Sequence, residues 1–319
     1  MDGLLRRAKE VATDLTRLPT TGGNSVSSGT PPALPPPVSF ERVRRVVLTD
    51  EVSRTLFEEY AAHRGSDRGG EETGWVLLGV RDVDEATVLA TLPAGSERDA
   101  GEAHVRFNSP AQTIGYRLVW KWERRLKVLG VVHTHPGSLR HPSKGDFKGD
   151  REWVPQLPGG EGIFGIGTGD AQQERDGSPV ASNPKPHMQC LGPMRFSWYT
   201  LAVGDKRYRE ADLGLTIGPD LAKPLRPVWD VIEAHAPRLD RLARQQARVR
   251  FEITQGRIGP ALTVTVGLAE SGQAVRVVLE GKDVRYYYES GGEVFQADLP
   301  DAALDKGVYL LLAELAARG

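Results

Sequence analysis

KVLGVVHTHPGSLRHPSKGD, residues 127–146, holds three of the chain's seven histidines. Its first half is a continuous apolar run, the pattern of a strand buried on both faces. Pro136 cannot donate to a strand ladder and fixes where the chain leaves the sheet. Side chains two apart on a strand point to one side, so His133 and His135 at the strand end can face one point. That is a chelating arrangement for a divalent metal held by neutral imidazole nitrogens. Asp146 follows after a ten-residue loop and can bring one carboxylate oxygen. Two nitrogens and one oxygen leave a fourth tetrahedral position for water. A structural zinc site is closed by four protein ligands, commonly cysteines. Cys190 is the only cysteine, so the open type is favoured and an intramolecular disulfide is impossible. Zinc lowers the pKa of its water to about 7, and a general base is still useful to take the proton. The motif has no glutamate, but Glu72 opens an apolar strand, GWVLLGV, that can lie beside the histidine strand. Ser143 can cap the helix that carries Asp146 and can also donate its hydroxyl to a developing oxyanion.

Outward from this motif the pattern alternates strands and helices. VRRVVLT reads as a strand, with Asp50 capping a helix through VSRTLFEEYAAHR. GWVLLGV and ATVLATLPA read as strands joined by the polar turn RDVDE, and AHVRF as a short one. Asn108 or Ser109 can cap a helix through TIGYRLVWKWERRL. GIFGIGTG reads as a buried strand, FSWYTLAV and KRYRE as a hairpin, and FKGDREWV as a short helix whose Asp150 and Glu152 lie on a solvated face. From about Pro224 a helical pattern interrupted by Pro237 leads into five short strands with glycine-rich turns and a last helix over about 302–317. The expected fold class is α/β (α+β): a mixed sheet flanked by helices, plus a smaller C-terminal α+β domain with an antiparallel meander.

The expected organisation is an amphipathic N-terminal helix over 1–19, a Gly/Ser/Pro-rich linker over 20–38, a catalytic domain over 39–212 and a C-terminal α+β domain over 222–319. The formal net charge of −1 gives no long-range attraction to nucleic acid or anionic membrane. No apolar stretch is long enough to span a bilayer, and with a single cysteine a cytoplasmic setting is expected. His187 and Cys190, in a loop over 170–194 rich in Pro, Ser and Asn, make a poor second metal site.

HTHP, six residues, then Ser143-Lys144-Gly145-Asp146 resembles the H-x-H-P-x6-S-x-x-D signature of the JAMM (MPN+, JAB) metallopeptidases. ETGWVLLG resembles the upstream segment of that family, in which a glutamate stands seven residues before a glycine. Glu72 stands seven before Gly79 and Glu71 eight. The resemblance covers about residues 40–210 and is closest to bacterial members. It departs at Trp75, where relatives often carry glycine, which puts the local packing in question. The resemblance implies an MPN/JAB-type fold and one Zn2+ per chain on His133, His135 and Asp146. It also implies Glu72 as general base, Ser143 as a catalytic hydroxyl, and cleavage after the C-terminal glycine of a ubiquitin-like protein or its conjugate. The loops at 81–103 and 170–194 are candidates for the groove that takes the Gly-Gly tail. The C-terminal domain, which has no catalytic cluster, is expected to recruit a conjugation enzyme or pair subunits. Two other readings stand beside this one: a non-catalytic MPN scaffold, against which the intact ligand set argues, and a RadC-like protein, against which the neutral charge argues.

Overall fold

A computed structural model of the chain describes residues 40–169, 182–268, 272–299 and 303–318. The expected helix over 1–19, the linker over 20–38 and residues 170–181 of the Pro/Ser/Asn-rich loop lie outside the described residues. The first elements are β1 (Arg45–Thr49), α1 (Asp50–Arg64), β2 (Gly74–Arg81), β3 (Glu85–Pro93), β4 (Asp99–Gly101), β5 (His104–Arg106) and α2 (Ser109–Trp122). Then come β6 (Lys127–Thr134), α3 (Lys144–Trp153), β7 (Glu161–Thr168), β8 (Met188–Leu191), β9 (Met194–Ala202), β10 (Arg209–Glu210) and β11 (Asp212–Thr216). The C-terminal part holds α4 (Trp229–Gln245), β12 (Val249–Gln255), β13 (Pro260–Gly267), β14 (Ala274–Glu280), β15 (Asp283–Ser290), β16 (Glu293–Ala297) and α5 (Leu304–Arg318).

The large sheet runs β10-β9-β7-β6-β2-β3-β1-β11, with β8 paired to β9. It is mixed: β6 is antiparallel to β2 and parallel to β7, and β1 is parallel to both β3 and β11. β6 is therefore central, which is what its unbroken apolar run requires. Thr49, not Asp50, caps α1: its side chain accepts from the Val52 amide at 3.2 Å. Asp50 is the first helical residue, where its charge suits the helix N-terminus. Asn108 caps α2 by accepting from the Ala111 amide at 3.2 Å. Trp75 is buried, donates from Nε1 to Glu59 Oε2 at 2.6 Å and packs edge-on to Phe196 at 6.2 Å. The bulky ring thus has its own seat in the core cluster of Leu56, Phe57 and Trp198.

The C-terminal strands form a sequential antiparallel meander, β12-β13-β14-β15-β16. Helix α4 runs unbroken through Pro237. The proline itself is exposed, and the helix gives up only the bond that its missing N–H would make to the Glu233 carbonyl. One hydrophobic cluster joins Leu92, Ile114 and Leu118 to Trp229, Ile232 and Leu239 of α4, and continues into Val264, Val277 and Val308. Gly115 permits this contact, because a Cβ there would stand 2.8 Å from the Trp229 ring. Among the described residues no helix is long and apolar enough to cross a membrane.

Candidate active site

The site forms where β6 ends beside the start of β2. The last register pair of these strands is Gly74 with His133. Thr134 N donates to Thr73 O at 2.9 Å, and Thr73 N donates to Thr134 Oγ1 at 3.0 Å. Just before Thr73, the Glu72 carboxyl lies close enough to His133 and His135 to feel their charge. Gly74 leaves room there: a Cβ would meet the Val132 carbonyl at 2.5 Å and the Phe107 ring at 3.1 Å. His135 is held past the strand end by its amide, which donates to Gly167 O at 2.8 Å.

His133 Nε2 and His135 Nε2 lie 3.0 Å apart. Asp146 Oδ1 is 3.5 Å from His133 Nε2, and Oδ2 is 3.5 Å from His135 Nε2. Ligand atoms at zinc-bond length in a tetrahedron are about 3.3 Å from each other; the two imidazole nitrogens and a carboxylate oxygen of Asp146 all lie within 4.8 Å of one another, close enough to share one cation. It is the one grouping of three or more such ligands among the described residues. The His135 Nδ1–H donates to Leu139 O at 2.7 Å, which fixes the tautomer with a lone pair on Nε2 toward the centre. Both imidazoles are buried.

Ser143 and Asp146 form a reciprocal capping box at the start of α3. Asp146 N donates to Ser143 Oγ at 3.1 Å, and Ser143 N donates to Asp146 Oδ2 at 2.6 Å. The helix start thereby fixes the carboxylate that faces the histidines. As an acceptor in this bond, the Ser143 hydroxyl keeps its own proton to donate. Burial alone would raise the Asp146 carboxyl, but the hydrogen bond and charge of His133 and the hydrogen bond from the Ser143 amide hold it well below the usual range. Burial alone would lower His133; its hydrogen bond to Asp146 and the nearby Glu72 charge push it up to about 9 instead.

Glu71 and Glu72 have opposite environments. Glu71 Oε2 accepts from Arg68 Nε at 2.7 Å, and that guanidinium holds its carboxyl below the ordinary value. Glu72 is buried, and burial raises its carboxyl against the opposing pull of His133 and His135. Its main chain is clamped: its amide donates to Gly101 O at 2.8 Å, and Arg98 Nε donates to its carbonyl at 3.2 Å. Of the two glutamates, Glu72 is the one electrostatically coupled to the histidine–aspartate cluster.

Three features escaped the sequence reading. Arg98, from the loop after β3, has no motif to mark it. Asp150 is not on a solvated face: it is half-buried, with Oδ2 accepting from Tyr208 at 2.7 Å and Oδ1 from Trp153 Nε1 at 3.3 Å. Burial pushes Asp150 up to about 7. Its spacing of one helical turn from Asp146 was the available signal. Glu152 is exposed as expected. The tail-groove candidates are also more ordered than loops: 85–93 is strand β3, β4 and β5 pair as a ribbon, and 188–191 is strand β8. His187 is buried with Nδ1 3.3 Å from Glu210, and Cys190 is a buried free thiol.

A mixed sheet flanked by helices, with two histidines at a central strand end and an aspartate on the next helix, defines an α+β domain built around a metal-ligand set. Residues 53–179 match the family model of prokaryotic homologs of the JAB domain. The solution structure of protein DSY2949 from Desulfitobacterium hafniense is 18% identical over 55% of this chain and 95% of its own. Its TM-score of 0.32 is too low a likeness to define the fold. No curated protein matches the chain.

Proposed function

We propose that the chain is a zinc-dependent peptidase or isopeptidase that cuts after the C-terminal glycine of a ubiquitin-like protein, freeing it from a conjugate or processing its tail. The observation that carries this is the set of three converging ligand atoms with a buried glutamate electrostatically coupled to them. His133, His135 and Asp146 would hold the ion. Zinc bound there would supply Lewis acidity and bring a water's pKa toward about 7. Glu72, raised by its burial, is suited to accept a proton from that water and return it to the leaving amine. Ser143 Oγ–H is suited to donate to the oxygen of the scissile carbonyl as charge develops on it. The ubiquitin-like substrate class rests on the signature shared with JAMM metallopeptidases. For the C-terminal unit we propose recruitment of a conjugation enzyme, and for the setting the cytoplasm.

The test is metal analysis with cleavage of a ubiquitin-like fusion. One zinc per chain is expected, with cleavage lost in Glu72→Gln while zinc is retained. Full activity of that variant would remove Glu72 from the mechanism. Purified protein without metal and without cleavage would favour a non-catalytic interaction module.

A further inference from the structure

Beside the metal-ligand cluster lies an open groove of about 380 Å³, running from Ser143 along the start of α3 to the turn between β9 and β10. Its wall is aromatic and interlocked. Tyr208 meets Phe147 at 5.8 Å and Tyr199 at 6.4 Å, in both cases edge to face. Tyr208 is tied to Asp150, and Tyr199 OH donates to Arg140 O at 3.1 Å. The floor is thus built before anything enters, which lowers the ordering cost of binding. The rim is cationic: Lys144 from the first turn of α3, and Lys206 and Arg207 from the turn, are all exposed. None of the three makes an ion pair with a described residue, whereas the one lining carboxylate, Glu210, faces His187 at 3.3 Å. A chain of net charge −1 therefore concentrates unpaired positive charge at the mouth of this groove.

We propose that this groove is a substrate subsite that binds an acidic segment with an apolar residue at its centre, adjoining the bond to be cut. The proposal rests on the peptidase reading for its orientation, because Ser143 is both the groove's inner end and a member of the reactive cluster. The apolar residue lies on the Phe147–Tyr208 wall. Carboxylates on either side meet Lys144, Lys206 and Arg207. A single-stranded nucleic acid also seeks cations and aromatic rings. It needs open ring faces, however, and here Tyr199 is buried and the rings cover one another edge-on.

The test is binding, so it does not depend on turnover. Full-length Glu72→Gln protein is titrated into a fluorescein-labelled Glu-Glu-Phe-Glu-Glu peptide, its Gln-for-Glu counterpart, its Lys-for-Glu counterpart and a labelled oligothymidine. The acidic peptide is expected to bind at least tenfold more tightly than the glutamine peptide, with affinity falling as salt rises. K206E/R207E, checked for an unchanged melting temperature, is expected to lose that preference and to favour the lysine peptide. Equal binding of the acidic and glutamine peptides, or an unchanged preference in K206E/R207E, overturns the subsite. Tighter binding of oligothymidine, lost in the same variant, overturns it in favour of a nucleic-acid site. Absence of metal and cleavage, with acidic binding intact, would instead sink the peptidase reading and leave the groove standing.

Discussion

Ser143 has two roles that substitution can separate. As N-cap of α3 its Oγ accepts the Asp146 amide at 3.1 Å. Ser143→Ala removes that acceptor, at a cost of about 1 kcal/mol. For a domain of this size that is a fall of roughly 2–4 °C in melting temperature. Ser143→Gly removes the same hydroxyl but costs only a few tenths of a kcal/mol in capping. Loss of a donor to the oxyanion costs about 10²–10³ in kcat. Both variants are therefore expected to lose activity by a similar large factor, while only alanine loses much stability. Ser143→Thr keeps a cap and a hydroxyl and is expected to stay close to the parent in both. Calorimetry, zinc per chain and turnover of a ubiquitin-like fusion read the three quantities. A zinc-loaded Ser143→Gly enzyme whose kcat stays within about threefold of the parent would refute the oxyanion role and leave Ser143 a helix cap alone.

Other outcomes follow from the same geometry. In metal-free protein His133 is raised from 6.5 to about 9, so the stability it adds is complete below about pH 6.5 and lost as pH rises through about 9. Asp146 is lowered, so its contribution is present above its ordinary value and lost as pH falls. Denaturant melts of chelator-treated protein are expected to weaken on the alkaline side by on the order of 1–3 kcal/mol, and His133→Gln to flatten that limb. Gly74→Ala sets a Cβ 2.5 Å from the Val132 carbonyl and is expected to cost about 1–3 kcal/mol, read as a lower urea midpoint. Trp75→Phe drops the 2.6 Å bond to Glu59 and leaves a void where the larger indole packed, for an expected loss of about 1.5–3 kcal/mol. An unchanged melt would mean that Glu59 is satisfied by Arg226, 2.5 Å away.

How far the sequence could be read depended on whether a residue's role was local. β6 was legible to the residue because an apolar run and a following proline bracket it. The capping box was legible because Ser-x-x-Asp is a contiguous pattern. β8 and β11 were not: β8 is a four-residue strand at the end of a polar loop, hairpinned onto β9, and β11 finds its partner β1 far along the chain, in parallel. Arg98 was invisible for the same reason, as its bond to the Glu72 carbonyl joins residues 26 apart. Asp150 was misread because a carboxylate on a short polar helix looks solvated until Tyr208 is placed over it. Glu71 and Glu72 differ in sequence by one position of spacing, yet the Arg68 guanidinium lowers the first while burial raises the second.

The seam between α2 and α4 bears on how this protein can change. Trp229 lies against Gly115, and the apolar residues around them belong to one cluster that reaches the far meander. Severing the chain ahead of α4 would bare the back of the reactive layer to water, so the C-terminal part is no detachable cassette. A binder that gripped the meander would be holding the other side of the wall on which the chemistry is mounted.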